Sequence, residues 1–283
     1  MSESSTGPSS HAMAIPPLVA QAFSYFPIHT FPPVESRSTA NPTTPTLWIS
    51  PPRSATRLSG DVECLKWQAY LALRGLDRLS IRSDIAPEGA LDARLPNLQL
   101  PDGQLLPARL IPTWAEEMLD EPEKSLEGYK DQEALDESRA WVSLLENDVH
   151  AALLFYQPQQ SYVASLVNVQ QRPVRPLEAI LSPPPPPLFG LNTIFPALGS
   201  SHISPAQIDA KYRAAIAALG DRLGTDKWFL GSSDPTPLDA LVFAYVHTLL
   251  HTANHIVRME VTRRVNLVGW ELRVRALVSA AFK

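Results

Sequence analysis

The stretch Asp226 to Leu250, DKWFLGSSDPTPLDALVFAYVHTLL, decides how the rest of the chain is read. An aromatic-apolar run, Trp228-Phe229-Leu230-Gly231, leads into Thr236-Pro237-Leu238-Asp239, and nine of the next eleven residues are apolar. Thr236 three residues ahead of Asp239 has the form of a capping box, with Asp in the usual Glu place. In such a box the threonine hydroxyl accepts from the Asp239 amide, and the carboxylate reaches back to the Thr236 amide. Pro237 fits between them, because the N–H it lacks would have no helical partner at that position. A helix so apolar after its cap is buried on most faces, so protein groups must satisfy its first amides. The stretch starts a central helix; it is architecture and not the wall of an active site.

Working outward, Ser204-Pro205 reads as an N-cap followed by proline at the first helical position. Ile208, Tyr212, Ala215, Leu219 and Leu223 form the stripe of that helix, and Gly224 closes it. A last amphipathic segment runs from Val261 to Phe282. Further upstream, Leu135, Val142, Leu145, Val149, Leu153 and Tyr156 recur at helical steps between Gln132 and Tyr156. Residues 157–203 read as a proline-rich insertion, in which Pro183 to Pro187 must be polyproline II. The charge run DEPEKSLEGYKDQEALDE is read as solvated helix and loop surface.

The N-terminal part has a different rhythm. Residues 1–45 form a Pro/Ser-rich arm, with four aromatics between prolines from Ile15 to Val34. Order is expected from Thr46-Leu47-Trp48-Ile49-Ser50, a short strand. A helix follows on the stripe Val62, Leu65, Ala69, Ala72 and Leu76, with Ser59 as N-cap and Gly75 as its stop. Arg78 to Ile85 alternates as a second strand, and two more strands flank the turn Pro101-Asp102-Gly103. A short helix then starts near Pro112 or Thr113. The order β-α-β-β-β-α is thioredoxin-like over residues 46–122, followed by an all-helical part over residues 123–283. In that pattern a cis proline precedes the third strand, and Pro96 holds the place.

A thioredoxin-like half followed by helices, with a buried capping box opening the core helix, resembles the glutathione-transferase fold. The wording is similar to the metaxins: DRLGTDKWFLGSSDPTPLDALVFAYVHTLL to the metaxin core-helix run, CLKWQAYLALRGL to their first helix, LVGWELRVRALV to their closing helix. The resemblance implies a non-catalytic, peripheral subunit of the mitochondrial sorting and assembly machinery (the SAM complex). It implies a place on the cytosolic face of the outer membrane. The implied partners are the β-barrel core subunit, a second metaxin-like subunit and β-barrel precursors. The smaller, peripheral metaxin-like subunit of fungi is the best match.

The residues themselves speak against several other functions. The chain has 283 residues and a formal net charge of −5, which argues against a sequence-independent grip on nucleic acid. The single cysteine, Cys64, excludes an internal disulfide framework and any Cys-pair zinc site. The first Arg or Lys is Arg37, and no apolar run approaches the roughly 18 residues of a membrane span. A glutathione transferase needs a hydroxyl or thiol after the first strand, for which Ser50, Ser54 and Ser59 stand available. It also uses an acidic-Ser pair after the fourth strand, where this chain has Pro107-Ala108-Arg109-Leu110-Ile111-Pro112. A cytosolic glutathione-dependent enzyme is therefore the rival reading. His247, His251 and His255 repeat at four-residue spacing, and two such histidines can bind zinc. No Glu follows the first, and no nearby Asp or Cys supplies a third ligand, so a polar, partly exposed face is expected. Neither a metal nor a cofactor is expected.

Overall fold

The computed structural model describes residues 43–52, 57–85, 89–91, 94–119, 126, 128–156 and 204–282. The aromatic arm at 15–34, Ser54 and the proline run at 183–187 lie outside the described residues.

Four short strands make one mixed sheet: β1 (Thr46–Trp48), β2 (Ser80–Arg82), β3 (Asn97–Gln99) and β4 (Leu105–Pro107), in the order β2-β1-β3-β4. β1 pairs parallel with β2 and antiparallel with β3, and β3 pairs antiparallel with β4. A parallel pair cannot be joined by a hairpin, and the crossover is α1 (Val62–Leu73). Leu47 and Leu98, directly opposed on β1 and β3, are both fully buried.

The cap of α1 lies two residues later than the sequence reading placed it. Asp61 is the N-cap, its carboxylate accepting from the Cys64 amide at 3.0 Å. Ser59 serves the approach instead: its hydroxyl accepts from the Asp61 amide at 3.2 Å and donates to the Ser50 carbonyl at 3.1 Å. At the other end Gly75 has φ +79°. The Leu76 amide donates to the Leu71 carbonyl and the Gly75 amide to that of Ala72, the paired bonds of a Schellman stop.

Before β3 the Leu95–Pro96 peptide is cis. Asn97 ties this corner down: Oδ1 accepts from the Leu91 amide, and Nδ2 donates to the carbonyls of Arg94 and Pro96. The β3–β4 turn carries Gly103 at φ +90°, with the Asp102 carboxylate accepting from the Gln104 amide. After β4 a 3₁₀ turn (Ala108–Leu110) runs straight into α2 (Ile111–Leu119), so this helix begins one or two residues before the expected start.

The helical part opens with α3 (Gln132–Leu144), a π-helical turn (Leu145–Val149) and α4 (His150–Phe155). Sequence periodicity had suggested one uniform helix here. The π turn takes an extra residue, and Asn147 Nδ2 donates to the Ser143 carbonyl beside it. Next comes α5 (Pro205–Leu223), stopped by Gly224 at φ +51° and joined to α3 by the Arg222–Glu137 pair at 2.6 Å. A 3₁₀ turn (Phe229–Gly231) leads to α6 (Pro237–Leu250). Two more helices follow, α7 (His255–Thr262) and α8 (Val265–Ala281), broken at Arg263-Arg264; the expected segment Val261 to Phe282 covers α8 and the last two residues of α7. Asn254 starts α7 by accepting from the amides of Ile256 and Val257, which puts His255 beyond the end of α6.

α6 is the axis of the molecule. Every residue from Leu238 to Leu249 is buried, and the helix packs against α1, α3, α7 and α8. The sheet half and the helical half thus share one core through α6 and α1.

Candidate functional site

Three places carry polar groups in settings that need explanation. The first is the start of α6. Asp239 is fully buried; its Oδ2 accepts from the Thr236 amide and the Thr236 hydroxyl, both at 2.8 Å, and its Oδ1 accepts from the Phe229 amide at 2.9 Å. The Thr236 hydroxyl in turn accepts from the Asp239 amide, completing the capping box. The Leu238 amide donates to the Tyr129 hydroxyl at 3.2 Å, and the Ala240 amide to the Thr236 carbonyl. With Pro237 offering no N–H, every amide of the first turn has a partner. Burial pushes the Asp239 carboxyl up to about 6, against the pull of its bonds from Phe229 and Thr236. Asp239 spends its bonds on two backbone amides and the Thr236 hydroxyl, all parts of the helix start and its approach.

The second place is the end of β1, where a transferase would keep its thiol-activating group. Ser50 faces the thiol of Cys64: the Ser50 amide donates to Sγ at 3.4 Å, and Sγ donates to the Ser50 hydroxyl at 3.6 Å. Ser59 is buried, its amide donating to Gln68 Oε1 at 2.8 Å, while Gln68 Nε2 donates to the Arg57 carbonyl. Burial, with the negative charge of Asp61 second, pushes the Cys64 thiol up to about 12, so it offers no thiolate near neutrality. After β4, Ala108 and Arg109 stand in the 3₁₀ turn, and neither side chain can accept from a ligand's amino group.

The third is a cavity of about 520 Å³ where α1, α2, α3 and the first turn of α6 meet. Trp67 and Tyr70 line it from α1, with ring centroids 5.6 Å apart and nearly perpendicular. Lys66 and Arg74 stand on the same wall, opposite Glu116 of α2 and Ser138 and Val142 of α3. None of Ser50, Ser59, Cys64 or Pro96 lines it. Sequence reasoning passed over this wall because it followed the apolar stripe of α1. The available signal was a tryptophan and a tyrosine off that stripe, interleaved with Lys66 and Arg74 at helical spacing.

One expectation needs correction. The polar, partly exposed face holds for the exposed His251 but not for His247, which is buried with its Nδ1 2.7 Å from Glu271 Oε1 of α8. The acidic partner that the sequence near the histidines failed to supply comes from 24 residues further on.

The three stretches that carried the family resemblance pack on one another. Phe229 meets Trp270 edge to face at 5.3 Å, and Arg273 of α8 lies over the Trp228 ring while donating to the Lys227 carbonyl. Asn266 Nδ2 donates to the carbonyls of Gly220 and Gly224. α1 packs on both α6 and α8.

Comparison with known proteins agrees with this architecture. A family model described as glutathione S-transferase, C-terminal domain, matches residues 212–274, from α5 into α8. A beta-etherase from Sphingobium sp. strain SYK-6 is 16% identical with a TM-score of 0.51, covering 84% of this chain and 98% of its own. A glutathione S-transferase from Methylobacterium radiotolerans, solved with glutathione sulfonate, is 19% identical with a TM-score of 0.47, over 84% and 92% of the two chains. Glutathione transferase F7 from Populus trichocarpa is 14% identical with a TM-score of 0.48, over 84% and 99%. No curated protein matches the chain. The fold is glutathione-transferase-like, with a small thioredoxin-like sheet and a helical C-terminal part.

Proposed function

We propose that this chain is a non-catalytic member of the glutathione-transferase-like fold. It acts as a peripheral docking subunit of the mitochondrial outer-membrane sorting and assembly machinery. The observation that carries the non-catalytic reading is the chemistry around β1 and β4. Ser50 is engaged with a protonated Cys64, Ser59 is bonded into the backbone, and Ala108-Arg109 replaces the acidic-Ser pair. Among the described residues Cys64 supplies no thiolate and the acidic-Ser pair is missing, which supports the non-catalytic reading, although the Ser50 hydroxyl keeps its own proton to donate.

The particular assembly rests on the metaxin-like wording of α1, of the approach to α6, and of α8. The protein would sit on the cytosolic face against the β-barrel core subunit and a second metaxin-like subunit, and help receive β-barrel precursors. Among the described residues no helix is long and apolar enough to cross a membrane, which suits attachment through partners. The cavity walled by Trp67 and Tyr70 suits a contact with an aromatic or aliphatic side chain of a partner, since its wall pairs apolar faces with charged rims.

A mild-detergent pull-down of the tagged chain from mitochondria tests the reading. Stoichiometric recovery of an integral β-barrel protein with a second metaxin-like chain is expected. A monomer free of membrane partners refutes the assembly role. The rival, a glutathione-dependent enzyme, has only the fold in its favour, and saturable binding of glutathione in calorimetry with turnover of a model electrophile would establish it.

A further inference from the structure

At the opposite end of α6 from the cavity, donors from two helices converge. His247 and His251 stand one turn apart at the C-terminus of α6, with ring centroids 4.1 Å apart and planes tilted by 32°. Glu271 of α8 faces them, its carboxylate buried. One ligand atom from each of the three lies within 4.8 Å of the others.

The hydrogen bonds fix which imidazole nitrogen is free. His251 Nδ1 lies 2.8 Å from the His247 carbonyl, which can only accept, so Nδ1 carries the proton and Nε2 the lone pair. Arg275 Nη1, which can only donate, sits 3.4 Å from that Nε2, in agreement with this tautomer. His247 Nδ1 and Glu271 Oε1 lie 2.7 Å apart, so a metal would take the place of the proton between them. For His251, an imidazole whose other nitrogen is held by a carbonyl is the arrangement in which histidines ligate metals. The helix C-terminus adds partial negative charge where a cation would sit.

We propose that His247, His251 and Glu271 form a site for a divalent transition metal, with zinc the ion favoured by two imidazoles and one carboxylate. Arg275 is its resident cation: Nε lies 3.8 Å from Glu271 Oε1, so the guanidinium compensates the buried carboxylate until a metal displaces it. Metal–ligand bonds of 2.0–2.1 Å in a tetrahedron set the donors about 3.3 Å apart. The exposed His251 and the half-buried Arg275 move most readily, and the His247–Glu271 pair opens by about 0.6 Å to reach that spacing.

The test uses the full chain without a polyhistidine tag, stripped with a chelator and titrated with zinc chloride by calorimetry near pH 7.5. One equivalent should bind. His251→Ala, at an exposed position, should abolish saturable binding, while His255→Ala, on α7 outside the cluster, should leave it unchanged. Glu271→Gln removes the anionic ligand and should loosen zinc by more than the roughly 10- to 100-fold that losing an outer-shell partner costs, and Arg275→Gln should tighten it by removing the competing cation. Absence of saturable binding, or equal losses in His251→Ala and His255→Ala, overturns the site. Unchanged or weaker binding in Arg275→Gln refutes the displacement. Circular dichroism of the Glu271 variant separates loss of a ligand from loss of fold, and the His251 comparison stands without it.

Discussion

Replacing Asp239 by Ala removes the acceptor of three buried donors: the Phe229 amide, the Thr236 amide and the Thr236 hydroxyl. Each buried donor left unpaired costs about 1–3 kcal/mol, and breaking a buried charged network typically costs about 3–5 kcal/mol in all. Taking about 4 kcal/mol and the slope for a chain of this size, roughly 2–4 °C per kcal/mol, Tm should fall by about 8–16 °C. The pH dependence gives a second, independent reading. Burial raises the folded-state carboxyl to about 6 from 3.8. Between those values the folded chain holds a proton that the unfolded chain has released. This group's contribution therefore grows as pH falls from 7 toward 4 and is lost as pH rises through about 6. The gap between the unsubstituted chain and Asp239→Ala should be wider at pH 5 than at pH 7 by about 1 kcal/mol. Urea unfolding followed by circular dichroism at both pH values measures it. A gap that narrows at pH 5 would show the three donors outweighing burial and would refute the reasoning. A Tm loss under a few degrees would refute the role of the box itself.

Three further outcomes follow from the geometry. Cys64, buried and holding its proton to about 12, should resist iodoacetamide in the native chain and react in urea; rapid native alkylation at pH 7.5 would contradict the packing around Ser50. Gly75→Ala should cost about 1 kcal/mol in denaturant titration although a methyl group there meets no neighbour, because φ is +79°. Arg222 holds the Glu137 carboxyl down at about 2, so their bond stabilises the chain fully above pH 4.5 and fades as pH falls through about 2. Glu137→Gln should therefore cost less than about 1 kcal/mol at pH 7, given the pair's partial exposure, and the difference should vanish in strong acid.

What could be read from the sequence was what neighbours in sequence decide. The capping box at Thr236 and Asp239 is a four-residue device, and the structure makes the bonds that its spacing requires. Glycine stops at Gly75 and Gly224 are equally local, as is the turn at Gly103. The strand and helix order gave the fold class, because a parallel β1–β2 pair needs α1 between its strands. The errors came where two local candidates competed or where partners are distant. Ser59 and Asp61 are both fair caps, and the choice turned on Gln68 and Ser50 claiming Ser59. The π turn at Leu145–Val149 leaves the apolar spacing looking helical throughout. The pairing of His247 with Glu271 depends on how α8 lies across α6, which no window of sequence contains. Trp67 and Tyr70 became a cavity wall only when α2 and α3 closed over α1.

The packing of α1 on α6 and α8 also governs how the chain can be made. α1 ends at residue 73, and its main partner begins at residue 237. Arg57 donates to the carbonyl of Phe282, one residue from the end of the chain. Contacts of such sequence separation fold slowly, since a long loop must close before any of them is gained. During synthesis the thioredoxin-like half leaves the ribosome before the helices that pack on α1 exist. At about 5–20 residues per second, tens of seconds of translation at the slower end separate α1 from the arrival of α8. Through that interval the surface of α1 that meets α6 and α8 has no partner to cover it. Any chain cut short before α8 keeps that exposure permanently.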